Sequence, residues 1–257
     1  MKDLVRARER FAPAPLVHVV VRKEDIDAER LEGRVAIVLD ILFATTTIVT
    51  ALAAGATAVI PAEDQREARR IAAGLPAGSY HIAGEEHLAA IAGFASPLPL
   101  ELTRAPGFAG KPLIYSTTNG TVALRHAQRA DAVYAAALCN AQATLDHALA
   151  HHPGKPLVII CAGSAGALNL EDFHAAGCLV ALLAPALDPG RALSDTALAA
   201  WAVYRAADAW TTIAASRIGR IVCGVGNDDE VRHAAGLNTI QLVATLVDDR
   251  IVRSPIP

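Results

Sequence analysis

Asp40 is followed five residues later by three consecutive threonines, Thr45, Thr46 and Thr47, in the segment VLDILFATTTIVTAL (38–52). A β-branched run that meets one acid and then a helical pattern reads as strand, acid, helix start. A helix N-terminus presents unpaired N–H groups and the positive end of the macrodipole, so an oxyanion is favoured there. Threonine hydroxyls would add donors at the one place in a helix where their poor interior propensity costs little. This predicts that Thr45, Thr46 and Thr47 cradle an anion while Asp40 holds a metal ion or a water. The alternative from residue types is an N-cap followed by β-branched packing.

Two further segments share that grammar. STTNGT (116–121) follows an apolar run with the hydroxyls of Thr117, Thr118 and Thr121, the turn residue Asn119, and Gly120, which lets a backbone approach a ligand. Such a nest suits a phosphate or a carboxylate, and equally a tight strand-to-helix turn. CAGSAGALNLEDFHAAG (161–177) places Glu171 and Asp172 at a helix head with Asn169 as its cap. Acids there complement the helix dipole, or they join Asp40 around Mg2+, which takes hard oxygen ligands. Two acids at neighbouring strand ends would suit metal-assisted attack on a phosphoryl group. Gly84 and Glu85 end another strand, which makes Glu85 a further candidate. His147, His151 and His152 have an i, i+4 component but no acid that completes a metal site, and they read as a helix end. Neither a Walker A loop, a dinucleotide-binding glycine motif nor a nucleophile elbow occurs.

The elements that must position these residues alternate. Short β-branched runs are expected as strands at 16–21, 35–40, 57–62, 80–85, 112–117, 132–137, 157–162, 221–225 and 239–249. Helical patterns cover about 46–54, 64–74, 120–129, 140–151, 171–185, 195–206 and 228–235, and 96–110 reads as a long loop. Continuous apolar strands point to a sheet covered on both faces, a three-layer α/β/α fold with a largely parallel or mixed central sheet. No linker divides residues 1–257, so one α/β unit, or two interlocked subdomains without a clean boundary, is expected. In open sheets of this kind ligands bind beyond the carboxyl ends of the strands, where the three loops would meet.

Composition bounds the function. Of 257 residues 53% are hydrophobic and 19% charged, with a formal net charge of −3, so there is no basic footprint for nucleic acid. The N-terminal MKDLVRARERFAPAP is too charged for a signal peptide, and no apolar stretch reaches the ~20 residues needed to cross a bilayer. A soluble cytoplasmic protein is expected, with four scattered reduced cysteines and a small anionic phosphate ester as its partner. The Ala/Leu-rich helices are compatible with a homo-oligomer, in its simplest form a dimer.

Taken in order and at these intervals, VLDILFATTTIVTALAAGA, AGEE, GFASPLPLE, GKPLIYSTTNGTVAL and LNLEDFHAAG resemble the 2-phosphosulfolactate phosphatase (ComB-like) family over about residues 34–250. The resemblance implies a three-layer α/β fold particular to that family. It also implies Mg2+-dependent hydrolysis of 2-phospho-3-sulfolactate to sulfolactate and phosphate, a step toward coenzyme M. Asp40 with Thr45, Thr46 and Thr47 matches the family's Asp-x-Leu-Arg-Ala-Thr-Thr-Thr motif. Gly84 and Glu85 match its Gly-Glu, and Ser96 and Pro97 its Ser-Pro. Thr118, Asn119, Gly120 and Thr121 match its Thr-Asn-Gly-Thr, and Glu171, Asp172 and Gly177 its Glu-Asp…Ala-Gly block. Asp40, Glu171 and Asp172 are thereby expected as metal ligands and, with Glu85, as the catalytic acids.

Two positions depart from that pattern. Phe43 stands where the family carries arginine, and Phe94-Ala95 replaces Gly-Asn before Ser-Pro. A substrate with phosphate, sulfonate and carboxylate calls for cationic partners, and phenylalanine supplies none. Lys111 or Arg104 is expected to compensate, with Ser96 beside the substrate. Otherwise the ester is less anionic, or the chain is a non-catalytic phosphometabolite-binding protein. Direct water attack ranks above a phosphoaspartyl route through Asp40, because Leu42 stands where that route places a second acid.

Overall fold

The computed structural model describes residues 16–187 and 193–255; the charged stretch 1–15 lies outside them. Its strands are β1 (Val17–Val20), β2 (Val35–Leu39), β3 (Val59–Ala62), β4 (His81–Glu86), β5 (Ala89–Ala90), β6 (Leu113–Ser116), β7 (Ala132–Ala136), β8 (Leu157–Cys161), β9 (Val243–Val247) and β10 (Arg250–Ser254). They form one mixed sheet in the order β1-β8-β2-β7-β9-β10-β3-β6-β4-β5. β1, β8, β2 and β7 pair in parallel, and so do β3, β6 and β4. The β9–β10 hairpin lies antiparallel to both neighbours, so the two parallel blocks run in opposite senses. With helices packed over the curled sheet, the arrangement is the expected three-layer α/β/α.

The threonine-rich helix, Ala44–Ala53, sits at the centre. It touches β2, β7, β9, β10 and β3, strands from both blocks, and every residue from Ala44 to Leu52 is buried. A helix buried on every side is held by its tertiary packing, which overrides the weak propensity of its threonines. The strands beside it are equally deep. Ile37 of β2 lies opposite Ile159 of β8, both fully buried, and each such side chain contributes ~1.5–3 kcal/mol. On the far face the helices Leu170–Leu183 and Asp195–Ala206 pack closely through small residues. A Cβ added at Gly177 would stand 2.0 Å from the carbonyl oxygen of Ala200.

Three expectations are corrected. The run 221–225 is not a strand but the end of the helix Arg217–Gly224, which Ser216 caps by accepting the Gly219 N–H at 3.0 Å. Ile218 and Val222, one turn apart, are its buried face. The run 239–249 holds only β9, because Asp248 and Asp249 take φ of 47° and 62° and turn the chain into β10. The loop 96–110 contains a short helix, Pro99–Thr103, opened by its proline. Among the described residues no helix is long and apolar enough to cross a membrane.

Candidate functional site

The ends of β2, β6 and β8, the β4–β5 turn, Ser96–Leu98 and the helix Arg217–Gly224 enclose a cavity of about 520 Å³. Asp40, Glu85, Thr118 and Ser164 face it from the strand ends. The three loops therefore meet as expected, although β6 belongs to the block that runs the other way.

Asp40 is 5% exposed. Its backbone N–H donates to Thr45 Oγ1 at 2.9 Å, and that hydroxyl donates to the Asp40 carbonyl at 3.0 Å, which locks the strand end onto the first helical turn. Burial raises the Asp40 carboxyl to about 7, and Glu85 and Glu171 push in the same direction; the Ala44 N–H and Lys23 oppose them. Space for this carboxylate requires glycine at position 120. A Cβ there would stand 2.3 Å from Ala44 Cβ and 2.6 Å from Asp40 Oδ2.

Thr45, Thr46 and Thr47 are all 0% exposed. Thr46 Oγ1 donates to the Ile41 carbonyl at 2.9 Å, and Thr47 Oγ1 to the Pro97 carbonyl at 2.8 Å. Each hydroxyl has one proton to donate, and each is committed to the backbone. Here they fasten the acid-bearing loop, because a polar group buried this deeply must find an acceptor within the fold.

The second loop does present donors, and the chain's own carboxylate takes them. Thr118 donates its backbone N–H to Glu85 Oε1 at 2.8 Å and its hydroxyl to Oε2 at 3.2 Å, while the Leu88 N–H donates to Oε2 at 2.7 Å. Glu85 reaches the loop because Gly84, at φ 154°, brings β4 against β6; a Cβ there would lie 2.0 Å from the Ser116 carbonyl oxygen. Thr121 turns inward instead, donating to the Thr117 carbonyl at 2.9 Å and accepting the Thr117 N–H at 3.0 Å. Asn119 Oδ1 accepts from Lys23 Nζ at 2.8 Å.

The two acids of the third loop separate in role. Asp172 Oδ1 accepts the Ile41 N–H at 2.8 Å and Oδ2 the Gly163 N–H at 3.2 Å, so this fully buried carboxyl ties the β2 loop to the β8 loop. Each of its oxygens thus holds one backbone donor. Glu171 is 1% exposed, and neither of its oxygens has a hydrogen-bond partner among the described residues. Burial raises its proton affinity; its own backbone N–H, the nearby Ser216 hydroxyl and Arg217 oppose that rise. No group of three or more His, Cys, Asp or Glu side chains suited to a metal ion occurs among the described residues. Mg2+ needs only one or two carboxylates beside water and phosphate oxygens, and Asp40 with the orphaned Glu171 fits that donor set.

The compensating cation is not where the sequence pointed. Lys111 precedes β6, at the opposite end of the strand from the Thr118 loop. Arg104 pairs with Asp229 at 3.6 Å beside Glu101 and Glu230, outside the cavity. Ser96 lines the cavity but donates to Glu101 Oε2 at 2.7 Å. Sequence reasoning missed Lys23, just beyond β1, and Arg217. The signal for Lys23 was the strand end it follows; Arg217 was hidden by the misread strand at 221–225. The histidine cluster is a helix end as expected: the His147 and His151 rings stack at 3.8 Å, and Tyr134 Oη lies 3.1 Å from both His147 Nδ1 and His152 Nε2.

Comparison with known proteins places this geometry in a lineage. A family model described as 2-phosphosulpholactate phosphatase matches residues 20–249. A protein of Symbiobacterium thermophilum named "probable 2-phosphosulfolactate phosphatase" is 36% identical over 230 residues, 88% of this chain and 96% of its own. Proteins of the same name from Deinococcus radiodurans and Clostridium perfringens (strain SM101) are 35% and 32% identical, over 83% and 88% of this chain and 88% and 92% of theirs.

Proposed function

The chain belongs to the 2-phosphosulfolactate phosphatase family, and from that premise we propose that it is a Mg2+-dependent phosphatase hydrolysing the phosphate monoester of a small hydroxy acid of the 2-phospho-3-sulfolactate class. The observation that carries the proposal is the pair of carboxylates Asp40 and Glu85 at one cavity, with Glu171 buried close enough behind it to raise the proton affinity of Asp40 and with no hydrogen bond to either Glu171 oxygen among the described residues.

Asp40 and Glu171 would hold Mg2+, which when bound supplies charge neutralisation on the phosphoryl oxygens. The chain's own residues do the rest. Glu85, held at both oxygens by Thr118 and Leu88, faces the cavity as the acceptor that orients a water for attack on phosphorus. An Asp40 carboxyl that ionises at about 7 makes the ligand set sensitive to pH near neutrality. Lys23, fixed on Asn119, offsets negative charge behind the site. Preorganised groups of this kind act on charge developing in a loose transition state without reorganising.

The test is phosphate release from 2-phospho-3-sulfolactate and related esters with Mg2+ and with EDTA, using Asp40→Ala as control. Metal-dependent release abolished by Asp40→Ala is expected. A second reading, a non-catalytic binding protein, draws on Phe43 at the cavity wall. No release from any ester, together with calorimetric binding that Asp40→Ala leaves intact, would establish that reading instead.

A further inference from the structure

The cavity is lined by two kinds of side chain. Asp40, Glu85, Thr118 and Asn119 are polar, and the phosphoryl chemistry is placed on them. A larger share is hydrocarbon: Leu42 and Phe43 follow Asp40, Leu98 follows the Ser-Pro turn, and Ile218, Ile221, Val222 and Val225 come from the helix Arg217–Gly224 and its end. Ile221 and Val225 are 46% and 71% exposed, so this apolar face reaches the cavity mouth.

One arginine or lysine lines the cavity among the described residues, Arg217. It stands at the first position of its helix, and Nη2 donates to Ser164 Oγ, which directs the guanidinium toward the third loop. No ion pair within 4.0 Å engages it among the described residues. Lys23 is not a second such group, because its ammonium is held by Asn119 and Glu24 and only 13% of the side chain is exposed. The cavity thus offers one fixed cation for an acid group. An additional anion would be desolvated against Phe43 and Ile218 without a partner.

Resting on the phosphatase reading above, we infer that the preferred substrate is an O-phosphorylated organic acid with one anionic group besides the phosphate and an apolar substituent. Arg217 receives the acid group, for which the planar guanidinium is suited. Phe43, Leu98, Ile218 and Val222 receive the hydrocarbon.

The experiment compares kcat/KM, with Mg2+, for 2-phospho-3-phenyllactate, 2-phospho-3-sulfolactate and phenethyl phosphate, which lacks the acid. The phenyl ester is expected to exceed the sulfonate ester by about tenfold or more, the scale on which an apolar pocket discriminates. Phe43→Arg is expected to reverse that order. Because Phe43 packs against the core, Arg217→Met, on an exposed residue, supplies the independent test. It should lower the preference for the phenyllactate ester over phenethyl phosphate at least tenfold. Preference for the sulfonate ester, or an Arg217→Met preference equal to wild type, overturns the inference and leaves the phosphatase reading standing. Failure to hydrolyse any of the three with Mg2+ overturns both.

Discussion

Glu85 and Thr118 form a closed pair: the carboxylate of one accepts the N–H of the other at 2.8 Å and its hydroxyl at 3.2 Å. The donors that the sequence assigns to phosphate are held by an acid whose charge also raises the proton affinity of Asp40. Glu85→Gln keeps an oxygen acceptor and removes the charge. The acid limb of the pH–rate profile is then expected to move to lower pH, because Asp40 ionises more easily. An unshifted limb would mean that Asp40 does not feel Glu85.

Asp40 also links pH to stability. Its folded value, about 7, stands above the ordinary 3.8, so the folded state favours the protonated form. The contribution is fully present below pH 4, is lost as pH rises to 7, and amounts to about 4 kcal/mol in all. With EDTA present, Asp40→Asn is expected to melt higher than wild type at pH 8, and the difference should close toward pH 4. Calorimetric scans across that range test it, and a pH-independent difference would count against it.

Thr46 separates the two readings of the threonine run. Its hydroxyl donates to the Ile41 carbonyl at 2.9 Å, so Thr46→Val should lower the unfolding free energy by ~1–3 kcal/mol. Substrate KM should change less than twofold. Urea unfolding and steady-state kinetics measure both, and a large KM rise at unchanged stability would return Thr46 to the phosphate.

His174 is fully buried between helices, with neither ring nitrogen partnered among the described residues and its ring 5.1 Å from that of Tyr204. Burial lowers its pKa, against a small opposing pull from Asp208. The stability this neutral ring secures is present above the unfolded value near 6.5 and is lost as pH falls through the folded value. His174→Leu should therefore raise the urea midpoint more at pH 5 than at pH 8. An equal effect at both would show that the imidazole takes up its proton equally readily in the folded and the unfolded chain.

Much of the fold could be read in the chain because its strands are short β-branched runs with turn residues between them. Seven of the expected strands stand where β1, β2, β3, β4, β6, β7 and β8 do. The run 221–225 misled because IVCGV is β-branched in isolation, whereas the burial of Ile218 and Val222 has helical spacing. Asp40, Glu85 and Glu171 were visible as acids beside strand ends and first turns. Which way Thr45–Thr47 and Asp172 point was not, since their partners, the Ile41 and Pro97 carbonyls and the Ile41 and Gly163 N–H groups, are fixed by tertiary packing. Arg217 was hidden by the misread strand beside it and by distance along the chain: 177 residues separate it from Asp40, and the tertiary fold brings them to one cavity.

The β9–β10 hairpin supplies no side chain to the chemistry, yet it bridges the two blocks whose strand ends do. During synthesis residues 243–254 leave the ribosome after Asp40, Glu85, Thr118, Glu171 and Arg217 have all emerged. A nascent chain therefore carries every reactive group before it carries the strands that join the two blocks holding them.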